Sequence, residues 1–513
     1  MNRQPLLILA LCFILGIFFQ DLFLLKDLQM MVFAVVFVVF SAVVLLLKSF
    51  LIQALRPYFL GLLFFGLGAL LHFFNFNSKG NAVEKSNREI VFKITKKLNS
   101  TEKNKKYEAE IIADSTIENA VIFIPRENRE LDFKHYYKAK AFVASPQKPE
   151  HDFQFDYSKY LQRKNIAVQA FISGKIDVAE RKDLTFDEKI RQKRLDVLQK
   201  INRSPMSAQS REFLKGIILA DRTEMDSETV RDFNRSGLVH FLAISGTHVV
   251  VIFGMFYFLM TRFSPLKLRK YAVISSLIFI WIFTAFIGFG SSVVRSSIML
   301  TVYFSYVLLQ RKPDLLHAVS LSALIILFAD TQQLFDVGFQ LSFLAVLGIY
   351  WLNQPILKLL PRQDRWIKKI IYNTVSISLA AQLSTVPLIL YYFHQFSFVS
   401  IPANLFIVPF SEIVIVFSFV LTGFIAAGID LNFIFIIYDF LIFLLLKSIH
   451  WFAGFEKIFF ENVAMNLFEV AALFIIIYFL RFVLIRFSLK NISRLACSVL
   501  IFLMIKTGSD LQA

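Results

Sequence analysis

Apolar residues fall along this chain in blocks of about 20, the length an α-helix needs to cross the hydrocarbon core of a bilayer. Three blocks open the sequence, near residues 6–22, 29–47 and 57–75, and a long polar stretch follows from 76 to about 236. Apolar blocks then resume near 238–260, 271–288, 292–310, 314–330, 336–353, 370–392, 399–427, 432–450, 465–484 and 492–506. The pattern predicts a polytopic α-helical membrane protein with about 12 or 13 apolar segments, re-entrant ones included.

Two other periodicities occupy the polar stretch. Ile90, Phe92 and Ile94, then Tyr107, Ala109 and Ile111, Val121 and Phe123, Tyr137, Ala139, Ala141 and Val143, and Val168, Ala170 and Ile172 alternate with polar residues, the period of half-buried strands. About five strands without intervening helices suit a small β-barrel inserted after the third span. From Thr185 the period changes: Thr185 and Glu188 form a capping-box pair, and Ile190, Leu195, Leu198 and Ile201 share one face of a helix. Its other side carries Lys189, Arg191, Lys193, Arg194 and Lys200. A basic amphipathic helix of this kind either lies at a membrane surface or packs, solvated, on the barrel.

Composition agrees: 56% hydrophobic residues and a mean hydropathy of +0.60 exclude a soluble globular chain. The formal charge of +17 points to an anionic partner, but cytoplasmic loops collect Lys and Arg whatever the function. Those loops orient the chain. Lys48 and Arg56; Arg262, Lys267, Arg269 and Lys270; Arg311 and Lys312; Lys358, Arg362, Arg365, Lys368 and Lys369; and Arg481, Arg486, Lys490 and Arg494 all fall on one side, taken as cytoplasmic. The count puts residues 76–236 outside the cytoplasm of a bacterial inner membrane, with the turn Asp330 to Gln333 beside them. Cys12 and Cys497 lie in apolar blocks with no ligand-like spacing, so neither a disulfide framework nor a metal site is expected. The N-terminal block, without a small-residue cleavage site after it, reads as a retained span.

The most specific stretch runs from Gly216 to Val251, where a soluble helical segment enters a span carrying His240, Ser245, Gly246 and His248. Polar groups entering lipid cost on the order of 2 to 3 kcal/mol each and normally face protein or a water-filled path. Here the chain resembles the competence-protein family of DNA-uptake channels, ComEC/Rec2. The family's signature reads as Gly237-Leu238-Val239-His240-Phe241-Leu242-Ala243-Ile244-Ser245-Gly246-Thr247-His248-Val249, preceded by Leu219-Ala220-Asp221-Arg222. Further family-like blocks are Thr284-Ala285-Phe286 through Ser292-Val293-Val294-Arg295 and Met299, then Asp336 to Phe343, and then Ala381-Gln382-Leu383 and Pro387 with Pro402, Asn404 and Pro409. Phe155-Asp156-Tyr157, Tyr160-Leu161 and Ile166 resemble its external domain, which implies an oligonucleotide/oligosaccharide-binding (OB-like) barrel.

The resemblance divides the chain into three N-terminal transmembrane helices (1–75), an extracytoplasmic OB-like β domain (76–184), a helical linker (185–236), a competence-type transmembrane channel domain (237–507) and a tail (508–513). It implies import of single-stranded DNA during natural transformation. Candidates for the path are His240, Ser245, Gly246, His248, Arg295, Asp336, Gln340, Gln382 and Asn404. Arg295 is the lone strong charge of its segment and either meets a phosphate or pairs with Asp336. Lys93, Lys96, Lys97, Lys105 and Lys106, with Tyr107, Tyr137 and Lys138, are candidates for a strand-binding surface that attracts phosphates and stacks bases. Longer members carry a metallo-β-lactamase-like domain, whose clustered His and Asp residues are missing here, and no phosphate-binding Gly-x-x-x-x-Gly-Lys loop is present. No catalytic or metal-ligating residue and no cofactor are therefore expected. The expected partners are single-stranded DNA, membrane lipid, a separate DNA receptor, nuclease and cytoplasmic ATPase or helicase, and a second copy of the chain. Two rivals stand: a small-solute or anion transporter, and an intramembrane serine protease using Ser245 with His248.

Overall fold

The computed structural model describes residues 4–510, apart from 47–49, 76–84, 102, 114–115, 150–155, 224, 243, 362 and 430. Lys48, Phe155, Ala243, Arg362 and the last three residues of the tail lie outside the described residues. The chain is a polytopic helical membrane protein carrying a small closed barrel. Helices α1 (Pro5–Phe23), α2 (Asp27–Leu46) and α3 (Phe50–Asn75) come first. Strands β1 (Ser86–Leu98), β2 (Asn104–Ala113), β3 (Thr116–Pro125), β4 (His135–Ala144) and β5 (Val168–Glu180) follow, with the short helix α4 (Tyr157–Arg163) between the last two.

The strands close in the order β1-β2-β3-β5-β4, with β3 and β5 parallel, as expected of a five-stranded Greek-key barrel. The alternating residues named above fill its core, with one correction. In β3 it is Ala120, Ile122 and Ile124 that face the main core, whereas Val121 packs with Leu161 and Ile166 beneath α4. Both faces of β3 are buried, so alternation alone could not choose between them.

Three polar-sequence helices lead back to the membrane: α5 (Phe186–Arg203), α6 (Ala208–Leu219) and α7 (Ser227–Arg235). The capping box at Thr185 and Glu188 is present. Helix α5 is wedged between barrel and bundle. Its Gln192 accepts from the Phe133 N–H, while Leu195, Leu198 and Ile201 join the same core as Ile280 and Phe283.

The remaining elements are α8 (Gly246–Phe263), one turn α9 (Leu266–Arg269), α10 (Ala272–Phe286), α11 (Ser291–Leu308), α12 (Leu315–Ala329), α13 (Val337–Leu359), α14 (Trp366–Phe393), α15 (Ser400–Ala427), α16 (Asn432–Ala453), α17 (Leu467–Ile485) and α18 (Leu489–Asp510). Among the described residues, eight helices are long and apolar enough to cross a membrane: α1, the Arg56–Asn75 part of α3, α8, α11, α14, α15, α16 and α17. Helices α10 and α12 have only 15 residues each, about 22 Å against a hydrocarbon core of about 30 Å. They are shorter than the apolar blocks that mark them, because the Gly288-Phe289-Gly290 turn ends one and Asp330 ends the other.

A strict alternation of crossings is also corrected. It would put the turn after α15 opposite the barrel, yet Lys200 of α5 donates to the Ala426 carbonyl at 2.8 Å, and Phe419 packs on Phe279 and Phe283 near the end of α10. The C-terminal end of α15 thus lies beside α5, on the side where the barrel packs.

Two polar clusters hold the barrel in place. Arg163 of α4 donates to Asp21 of α1 at 3.0 Å and to Gln332 at 2.9 Å, with its guanidinium 3.6 Å from the Phe335 ring. On the other side Arg181, its side chain fully buried, donates to Glu188, which also pairs with Lys93 at 3.4 Å. Burial pushes the Glu188 carboxyl up, but Arg181 and the Thr185 N–H outweigh it and hold it below the usual carboxylate range. Its folded value is depressed, so its contribution is present above its unfolded value of about 4.3 and is lost as pH falls through the folded value. A pH titration of barrel melting in the full chain should show this loss on the acid side only. Glu188→Ala strands the Arg181 charge and should lower stability by about 3 to 5 kcal/mol, read from denaturant midpoints.

Candidate functional site

The signature segment begins where Gly237, at φ +72, turns the chain away from α7; that left-handed conformation suits glycine, and a methyl there would also lie 2.5 Å from Ser400 Cβ. His240 sits in a single 3-10 turn, Val239–Phe241, with its side chain exposed between buried Leu238 and Phe241. It is therefore not on the span, as its place in an apolar block had implied. The helix starts only at Gly246, with Ser245 as its cap.

Ser245 and His248 are in contact, Oγ to Nδ1 at 2.8 Å, but the Ser245 backbone N–H also donates to Nδ1 at 3.1 Å. The ring nitrogen that a protease would need as a base is already accepting from the backbone, in a capping box. The remaining nitrogen, Nε2, is buried with no hydrogen-bond partner among the described residues.

Close approach ties α8 to the next elements. A methyl at Gly246 would lie 3.0 Å from Ser296 Oγ of α11. One residue earlier on α11, Arg295, only 4% exposed, donates to Asp336 at 3.4 Å, and Asp336 in turn caps α13 by accepting from the Phe339 N–H at 2.9 Å. A methyl at Gly338 would stand 3.0 Å from both Arg295 Nη2 and Asp336 Oδ1, so the pair fits only because that position is bare. Of the two roles open to Arg295, the pairing is therefore present, and its Nε has no partner among the described residues.

The other polar candidates separate. Gln340 is engaged at both ends, donating to the Leu334 carbonyl at 2.9 Å and accepting from Tyr392 at 2.8 Å, which is helix-to-helix bonding. Gln382 donates to Ser400 at 2.9 Å and leaves Oε1 buried and unpaired; Asn404, one turn beyond Ser400, leaves Oδ1 the same.

The barrel candidates need the larger correction. Tyr107 and Tyr137 are core residues, fully buried and 3% exposed. Each hydroxyl accepts a backbone N–H, from Leu131 and Asp132, so neither ring is available to stack on a base. Their alternation was that of core positions. Lys93 is held by Glu110 and Glu188, Lys97 by Glu130 and Asp221, Lys138 by Glu89, Lys105 by the Asn128 carbonyl, and Lys106 lies over the Phe123 ring.

Of that set Lys96 and Lys97 line a cavity of about 250 Å³ between barrel and bundle, together with Glu108, and Lys97 is already paired there with Asp221. Arg191 and Arg194 of α5 and Asp221 and Gly288 line it too, the last from the turn between α10 and α11. Lys96 is solvent-exposed at the cavity's rim, yet desolvation by the surrounding protein pushes its ammonium down, and Lys164, Arg194 and Arg191 add to this against the pull of Glu108. Burial likewise lowers Arg194, beside Arg191. The cavity thus holds more positive charge than its own carboxylates neutralise. Arg191, Arg194 and Lys164 were not legible as site residues, since basic residues on an amphipathic helix or a short loop are usually solvated.

A family model described as "Competence protein" matches residues 217–487, slightly more than half of the chain. The chain belongs to the competence protein family. ComE operon protein 3 of Bacillus subtilis (strain 168) is 30% identical over 256 residues, which is 50% of this chain and 31% of that protein. The chain thus spans well under two thirds of that relative's length. No solved structure matches. The family match takes in the signature, Arg295, Asp336, Gln382 and Asn404, and begins after the barrel and α5.

Because Ser245 acts as a cap, Ser245→Ala should cost about 1 kcal/mol of stability. Serine-directed fluorophosphonates should leave the wild-type chain unlabelled; labelling lost in Ser245→Ala would restore the protease reading.

Proposed function

We propose that this competence protein is an inner-membrane conduit for single-stranded DNA during natural transformation, with the barrel on the extracytoplasmic side. The observation that carries the reading is the cavity's under-neutralised positive charge, placed where the barrel meets the helix ends. From Lys96, Arg191 and Arg194 the cations continue to Gly288, against which Arg194 packs, and through Lys164, which feels the charge of Asp336, to Arg295. A strand carrying one charge per nucleotide is drawn to such a series, and the attraction falls steeply with salt.

Conduction also requires release. Arg295 Nε, His248 Nε2, Gln382 Oε1 and Asn404 Oδ1 are buried polar atoms without partners among the described residues, able to exchange hydrogen bonds with passing cargo. A separate DNA receptor, nuclease and cytoplasmic ATPase or helicase would supply capture, strand degradation and work; the chain itself acts without catalysis, alone or with a second copy. An anion transporter would use the same cations, and the cargo tells the two apart.

Protected uptake of fluorescent DNA into the cytoplasm should be restored in a deletion strain by the wild-type chain and reduced at least about tenfold by Arg295→Ala at equal membrane abundance. Normal uptake with Arg295→Ala would make the Arg295–Asp336 pair purely structural, and uptake of small anions but not DNA would favour the transporter. Binding of a labelled single strand to the purified chain should weaken as salt rises, with a smaller salt slope in Arg194→Gln.

A further inference from the structure

The cavity beneath the barrel has a chemically mixed lining. Lys96, Arg191 and Arg194 bring positive charge, Phe133, Leu195 and Leu198 bring apolar surface, and Glu108 and Asp221 bring carboxylates; Arg191, Arg194, Leu195 and Leu198 share one face of α5. The surroundings of the cations differ. Lys97 is occupied by Glu130 and Asp221, and Arg191 by Asp187 and the Thr95 carbonyl, whereas Lys96 makes no ion pair among the described residues. Arg194 is bonded to the Leu219 carbonyl through one nitrogen, and its Nε is buried without a partner among the described residues. An ammonium without an ion pair among the described residues and a half-used guanidinium therefore line the same space, beside an apolar surface.

We propose that this cavity is a subsite for a single nucleotide, its phosphate held by Lys96 and Arg194 and its base laid against Phe133, Leu195 and Leu198. This deepens the conduit reading and rests on it, adding that the strand is engaged one nucleotide at a time where the barrel meets the membrane helices. The volume of about 250 Å³ lies just below the about 300 Å³ at which small-molecule sites begin, which favours one nucleotide over two. Inorganic phosphate would use only the cationic residues, and a nucleoside only the apolar ones. Thr95, Asn99 and Thr223 also line the cavity and offer hydroxyl and amide groups to a sugar or a base edge. A glycerol-phosphate lipid headgroup presents the same phosphate without a base, so the base decides between the two sources.

Equilibrium binding to the detergent-purified full chain tests the subsite, with thymidine 5′-monophosphate, thymidine, inorganic phosphate and glycerol 3-phosphate as probes. The expected result is saturable binding of one thymidine 5′-monophosphate per chain, with each of the other three weaker by at least about tenfold, the loss of one charge-assisted contact or of the apolar one. Lys96→Gln should weaken nucleotide binding by at least the same factor. Asn99→Trp, which fills the cavity from an exposed position, should abolish it, while Lys140→Gln on the outer barrel surface should leave it unchanged. Phosphate or glycerol 3-phosphate binding as tightly as the nucleotide would overturn the assignment, as would unchanged affinity in both cavity variants. Absence of nucleotide binding by a wild-type chain that still restores DNA uptake would remove the subsite and leave the conduit standing.

Discussion

Helix α5 is the contact on which the rest of this structure depends. A barrel solvated by water and a bundle solvated by lipid have no surface in common, and α5 supplies one to each. Its Gln192 and Glu188 bond to the barrel, and its Leu195, Leu198 and Ile201 are shared with the membrane helices. Burying three large aliphatic side chains contributes about 1.5 to 3 kcal/mol each, enough to fix the helix against both bodies. Its basic residues then have no free choice of environment. Arg191 and Arg194 are carried into the gap between barrel and bundle, where burial strengthens every electrostatic interaction they make.

The same rule governs the bundle. A charge in low dielectric persists only with a partner, and Arg295 has Asp336. That pair links α11 to the cap of α13, while the clamp of Arg163, Asp21 and Gln332 lands on the turn just before Asp336. The barrel is thus anchored within a few residues of the charge pair, which sets the position of the barrel and of Arg295 together. His72 bonded to Thr331 at 2.9 Å adds α3 to the same turn.

Much of this was legible along the chain. Apolar blocks of bilayer length announced the helices, because lipid leaves the backbone no other way to satisfy its hydrogen bonds, and alternation announced the five strands. The capping box at Thr185 and the polar signature from Gly237 to His248 are local sequence features that needed no tertiary contact to be seen. Tyr107 and Tyr137 show where such reading fails: an aromatic residue on an alternating strand has the same pattern whether it faces a core or a ligand, and only barrel closure put both inside.

The sequence by itself determined the class of molecule, its helices and strands, and the few polar residues that lipid makes expensive, since each depends on periods of two to four residues or on a length of about 20. Tertiary structure decided which charges remain free. Lys93, Lys97 and Lys138 acquire carboxylate partners from other elements, whereas Lys96, on the same strand as the first two, does not. It also decided that the C-terminal end of α15 meets α5 beside the barrel, against a strict alternation of crossings. Both outcomes rest on contacts between separate elements, as far as 226 positions apart, and no local pattern records which neighbour a side chain will meet.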